Sequence, residues 1–284
     1  MIKLDAATVL LQWATGGLFF LWITTRRREV GIGYGWLLRG TYLVMAAGAA
    51  FIGVRVDPVP VRDGASVLVA IATAVALGVS IVRRRAGVLL ERERVASRSA
   101  RVTAMTGIDR VSDGPLEGVP EFPPVLDTIA PAIGLVGLIA AGIHAGNPEL
   151  LAVVRTVVGA AFLGSVTDAM LLGHWYLVQP GLARGPLLEM VRCVAIVWPF
   201  EIAAMLWPVG MVSVLDGSID DGYAGLLGWF WVACAITTIV LVMVTRAALR
   251  ERAYSAVMAA TGLLYLAILT AFGADLVARA VLAP

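Results

Sequence analysis

Lysine is almost missing from this chain: Lys3 is the single lysine among 22 Lys and Arg residues, so no span can hold a Schiff-base lysine. Cysteine is as scarce. Cys193 and Cys234 stand far apart in apolar sequence, which rules out a CxxC dithiol, a Cys/His zinc set and c-type haem attachment. There are two histidines, His144 and His174. Bis-histidine haem b needs both at one depth, and the spans below put them near opposite faces, so haem b is disfavoured. A His–Met pair with Met170 or Met190 has no spacing to recommend it. Charge is thin overall, at 15% of 284 residues, where soluble domains carry roughly 25%. Apolar/polar alternation of the kind that marks barrel strands is lacking. So are intramembrane peptidase motifs, aspartate-rich prenyl-transfer motifs, any internal repeat and any nucleic-acid-binding signature.

What the chain has in abundance is long apolar runs. Hydrophobic residues make up 60% of it, and the mean hydropathy is +0.88. Runs at 6–25, 34–55, 64–82, 126–146, 149–179, 186–212, 223–246 and 254–281 are each near or above the roughly 20 residues that carry a helix across about 30 Å of hydrocarbon. The expected fold is all-α: a polytopic membrane bundle of about eight transmembrane helices. Its first run is no cleavable signal peptide, because the cluster Arg26, Arg27 and Arg28 follows the apolar stretch instead of preceding it.

Orientation comes from the arginines. Arg26 to 28, Arg83 to 85, the stretch 92–110, Arg184, and Arg246, Arg250 and Arg252 all fall on one side of this topology. The opposite loops carry Asp57 and Asp63 with Arg55 and Arg62, then Glu149, then Asp216, Asp220 and Asp221. The positive-inside rule then places the basic loops in the cytoplasm and both termini outside, with the chain in the plasma membrane. Three parts follow: a three-helix membrane part at 1–85, a cytoplasmic loop at 86–124, and a five-helix membrane part at 125–284. The loop begins as an amphipathic segment and ends rich in turn residues. It suits either anionic lipid headgroups or a peripheral redox partner.

Ionisable residues inside spans are costly and mark a pathway, a site or a paired strut. The fifth and sixth spans hold most of them. At about 100° per residue, Asp168, Trp175 and Gln179 share one face below Ala161 and Gly164, and His174 lies off that stripe. His174, Trp175 and Tyr176 also fit an interfacial anchor. On the sixth span Glu189 and Arg192 are three apart and suit an ion pair. Glu201 falls near the bilayer centre between Pro199 and Pro208, each of which frees a carbonyl one turn earlier. If these helices are antiparallel neighbours, Asp168, His174, Trp175, Tyr176, Gln179, Glu189 and Arg192 converge in the inner leaflet, with Glu201 capping the pocket. Outside this set, Asp275 and Arg279 read as an i,i+4 pair, Asp127 as a first-turn acid, and His144 as solvent-facing.

A quinone head needs hydrogen-bonding groups, an aromatic wall and a proton path. The set supplies these, so the first expectation is a membrane subunit of an electron-transport complex that interacts with quinone or menaquinone at the cytoplasmic leaflet. The same carboxylates and proline-broken helices also suit a proton-coupled transporter. A non-catalytic membrane scaffold or assembly protein is the third reading. No metal site is expected, and an oligomer is compatible with all three.

Overall fold

The structure is a computed structural model and describes residues 5–83, 122–179, 182–251 and 253–283. Most of the 86–124 loop therefore lies outside the described residues. Among the described residues the regular structure is helical throughout: α1 (Ala6–Thr25), α2 (Ile32–Val56), α3 (Pro60–Val82), α4 (Leu126–His144), α5 (Glu149–Val178), α6 (Gly185–Leu206), a short α7 (Gly210–Leu215), α8 (Leu226–Ala248) and α9 (Tyr254–Val281). Seven of these are long and apolar enough to cross a membrane. The exception among the long helices is α6, whose 22 residues include Glu189, Arg192 and Glu201 and so leave no uninterrupted apolar window. The expected run at 186–212 breaks after Leu206. Pro208 has no amide hydrogen and its ring crowds the preceding turn, so the helix stops and α7 starts as a separate turn.

The bundle is built around α1 and α5. In their most apolar stretches 61% and 67% of positions are buried, against 33% in α2, α3, α8 and α9. α5 touches α1, α4, α6 and α9, and α1 also packs on α2 and α4. Apolar burial cannot drive association in lipid, so close backbone approach must. Gly16 and Gly164 supply it: a Cβ on Gly16 would fall 1.8 Å from the Ala160 carbonyl oxygen, and one on Gly164 2.2 Å from the Gly16 backbone.

Polar ties hold the two ends. At one end Arg62 on α3 donates from Nε to Asp63 (2.8 Å) and from Nη2 to the Asp57 carbonyl (2.6 Å), and it also pairs with Asp5 and Thr8. Asp5 in turn caps α1, accepting from the amides of Ala7 and Thr8. At the opposite end Arg39 on α2 grips Asp127 of α4 with two bonds, 2.8 and 2.6 Å. Its Nη1 reaches Ser80 on α3 (3.2 Å), and the Phe122 ring covers it. Asp127 is thus more than a first-turn acid: it is the buried partner that joins α2 to α4. Between α7 and α8, Asp221 accepts from the amides of Tyr223, Gly225 and Leu227 and so caps α8, which gives part of the acidic loop a structural use. In the same loop the hydroxyl and amide of Ser218 hold the Asp216 carboxyl below its usual range.

Candidate functional site

Apart from the end ties, two groups of buried polar side chains lie at different depths along α5. The first lies toward the Asp5 end, where α1, α5, α6 and α9 meet. Asp275 and Arg279, one turn apart on α9, face the same way and form a bidentate pair at 2.7 and 2.9 Å, with 0% and 1% of Arg279 and Asp275 exposed. Gln12 on α1 donates from Nε2 to the Thr156 carbonyl at 2.5 Å. Gly159 leaves room for this meeting. A Cβ there would lie 2.9 Å from Arg279 Nη2, 3.2 Å from Gln12 Nε2 and 3.3 Å from Asp275 Oδ1.

Arg155 is aimed by the break in α6. Proline 208 has no N–H for the carbonyl of Ala204, four residues back, and Arg155 Nε takes that acceptor at 2.9 Å. Its Nη2 reaches the Trp207 carbonyl, also at 2.9 Å. The guanidinium thereby closes the end of a helix that proline left open. One turn inside that end is Glu201, 2% exposed, within electrostatic range of Asp275, Arg279 and Arg155. Neither of its carboxylate oxygens has a hydrogen-bond partner. Gln12 Oε1 and Arg279 Nη1 are also unpartnered and buried. Two arginines and two carboxylates make this group formally neutral when all are charged.

The second depth is nine residues further along α5, about 14 Å at 1.5 Å per residue. Asp168 is wholly buried there and accepts the phenol of Tyr42 on Oδ1, while Oδ2 has no partner. Tyr42 belongs to α2, on the far side of α1. Its ring passes over Gly17, where a Cβ would fall 2.0 Å from the phenol carbon. Tyr34, also on α2, donates to the Asp168 carbonyl at 3.4 Å. Beside them Trp13 donates to Thr167 at 2.9 Å.

The residues expected to converge between the fifth and sixth helices do not do so. The helices are neighbours, but Asp168 faces α1 and α2, because Gly17 opens that side to Tyr42. His174, about 120° round the helix, is exposed and contacts Tyr265 of α9, Nδ1 to hydroxyl 3.2 Å. Trp175 donates to Gln179 at 3.2 Å, and its ring lies near Tyr34 and Gly33. Tyr176 donates to the Ala183 carbonyl and closes the α5–α6 turn. Glu189 pairs with Arg26 (2.6 Å) and Arg27 (3.6 Å) of the α1 end in place of Arg192, which is exposed. Glu201 lies five residues from the end of α6, and its charged neighbours are Asp275, Arg279 and Arg155 instead of Asp168. His144 is exposed as expected, 3.8 Å from Asp57.

Sequence reasoning passed over Gln12, Tyr34, Tyr42 and Arg155, and took Asp275 with Arg279 for a simple pair. Arg155, Asp275 and Arg279 were visible as ionisable residues inside spans. The tyrosines and Gln12 carried no signal of their own.

A separate apolar groove of about 440 Å³ runs between α1, α4 and α5, lined by Phe19, Trp22, Pro131, Leu135 and Val157 among others. Phe19, Ala132 and Leu135 are exposed, so it opens on the outer surface of the bundle. Among the described residues, no group of three or more His, Cys, Asp or Glu is placed to hold a metal ion. Compared with protein-family models, with curated proteins and with solved structures, the chain matches none.

Proposed function

We propose that this chain is a proton-coupled membrane transporter, an eight-crossing bundle with both ends on the outer side, in which Glu201 and Asp168 carry the proton. The observation behind this reading is the state of Glu201. A carboxylate that is 2% exposed and has no hydrogen-bond partner on either oxygen is expensive as packing. The same group is apt for taking and giving a proton. Asp168, with Tyr42 on one oxygen and nothing on the other, offers a second stop deeper along α5. The eighth crossing is α6, which runs from Glu189 beside Arg26 at one end to the Arg155 contacts at the other. Positive-inside supports the orientation: Arg26, Arg27 and Arg184 lie at one end, where Arg184 Nη2 ties the α5–α6 turn to the Ala253 carbonyl before α9.

The test is proton movement in liposomes holding the purified protein, an imposed pH gradient and an internal pH dye. Wild type dissipates the gradient faster than protein-free vesicles, and Glu201→Gln loses at least tenfold of that rate. Equal rates for wild type, variant and empty vesicles would sink the reading.

A second reading, the quinone-interacting subunit of an electron-transport complex, takes its support from the α1–α4–α5 groove. Its apolar walls, Phe19 and Trp22 and its opening at the bundle surface suit a prenylated quinone entering from the bilayer. Quinone in a lipid extract of the purified protein, lost when Ala161→Trp fills the groove, would favour it. An extract with no more quinone than the surrounding detergent–lipid would remove it.

A further inference from the structure

We propose that Gln12 and Arg279, which meet at Gly159, form with Arg155 and Glu201 in electrostatic reach a binding site for a small monovalent anion, of chloride, nitrate or formate size, whose binding is linked to protonation of Glu201. The inference rests on the proton-carrying role of Glu201 proposed above and names the solute that accompanies the proton.

The argument is one of charge and of unused hydrogen-bonding groups. With every group ionised, Arg155 and Arg279 balance Glu201 and Asp275. Asp275 is committed: both its oxygens are held by Arg279. Arg155 spends Nε and Nη2 on backbone carbonyls, which carry no net charge. Glu201 is thus the group that balances the second positive charge, yet it makes no hydrogen bond with either arginine. One proton from solution on the Glu201 carboxylate takes the cluster from neutral to +1 in a buried, low-dielectric setting. One anion returns it to neutral. Binding an anion while Glu201 stays charged would make the cluster −1, which the same setting disfavours.

The recognition groups are in place. Arg279 Nη1 is an unpartnered donor on a residue that is 0% exposed. Gln12 has used one of its two amide hydrogens on Thr156, and its Oε1 accepts nothing. Gly159 holds side-chain bulk away from the place where these heads meet. A metal cation fits poorly, since two guanidiniums flank the site and the Asp275 oxygens are taken. The charged groups in electrostatic reach of Glu201 are Asp275 and Arg279 from α9 and Arg155 from α5; α1 brings Gln12 to Arg279 at Gly159, and the Cys234 thiol on α8 lies near the α9 residue Gly273.

The experiment uses the full chain in detergent. Sodium chloride, nitrate and formate are titrated by calorimetry at several pH values, with sodium gluconate as the bulky control and proton uptake read in weak buffer with a pH dye. Wild type binds the small anions with uptake approaching one proton per anion. Its affinity rises as pH falls, by up to about tenfold per pH unit for a one-proton linkage. Glu201→Gln, an isosteric change, binds the same anions without proton uptake and without pH dependence. Gly159→Ala weakens anion binding by tenfold or more while all charges are retained. Absent binding, binding without proton uptake in wild type, or uptake that persists in Glu201→Gln overturns the proposal. So does a response that follows sodium, gluconate included. Liposome proton flux that ignores the anion sinks this inference and leaves the transporter reading standing. Anion-linked uptake in a protein that moves no protons across liposomes does the reverse.

Discussion

The ties at the two ends of the bundle and the cluster around Glu201 use the same side chains for opposite ends. Arg62 and Arg39 are 1% and 2% exposed; Arg62 is held by the carboxylates of Asp5 and Asp63, Arg39 by that of Asp127, and each has further polar partners. Their carboxylates join helices distant in sequence: Asp5 to the α2–α3 turn, and Asp127 to α2. A buried ion pair repays its desolvation only when its geometry is good and its remaining hydrogen-bonding groups are satisfied. These two meet that condition. The inner cluster is as deeply buried but incomplete, with unpartnered atoms on Gln12, Glu201 and Arg279. Partly satisfied networks cost stability, and this difference is what singles out the inner cluster, and not the end ties, as the candidate site.

That contrast can be broken by mutation. Arg39→Ala leaves Asp127 buried without its cation and is expected to cost about 3–5 kcal/mol, read as a large fall in thermal unfolding temperature in detergent. A small loss would mean that the end ties are not what holds α2 to α4. Tyr42→Phe removes the hydrogen bond to Asp168 and strands a carboxylate that already lacks a partner on its other oxygen, at an expected cost of about 1–3 kcal/mol. Unfolding of that variant, compared with Tyr34→Phe, checks whether Tyr42 is the main support of Asp168. Glu201→Gln loses no hydrogen bond but removes the charge that balances Arg155, so it should cost less than Arg39→Ala and recover part of that cost when a small anion is supplied, while proton movement falls at least tenfold. A stability loss as large as that of Arg39→Ala would make Glu201 another strut and erase the distinction. The smallest effect belongs to His174→Ala, within about 0.5 kcal/mol and without change in proton flux, because the ring is exposed and contacts one tyrosine.

The long helices were legible because an apolar run of some twenty residues leaves the chain little alternative in lipid. Helix α6 was the difficult one. Pro208 ends it, and the expected run crossed that proline because the apolar residues on both sides hide the break. The off-stripe position of His174 followed from helical periodicity. The partner of Asp168 did not, because Tyr42 reaches it across a third helix through the gap left by Gly17. Glu189 was read with Arg192, its neighbour on the helix, and instead meets Arg26 and Arg27, 163 residues away in the case of Arg26. Local spacing can say which residues could touch on one helix. It says nothing of competitors on another.

What the sequence determined by itself is where the chain is apolar, where it is basic, and which spans hold ionisable groups, since these are properties of single segments against water and hydrocarbon. The tertiary structure alone decided which of those groups are satisfied. Satisfaction is a property of pairs, set here by the close crossing of α1 and α5 at Gly16 and Gly164 and by the broken end of α6. Those two features bring Gln12, Arg155, Glu201 and Arg279 from four separate stretches of chain into one cluster, and leave Glu201 without a hydrogen bond in it.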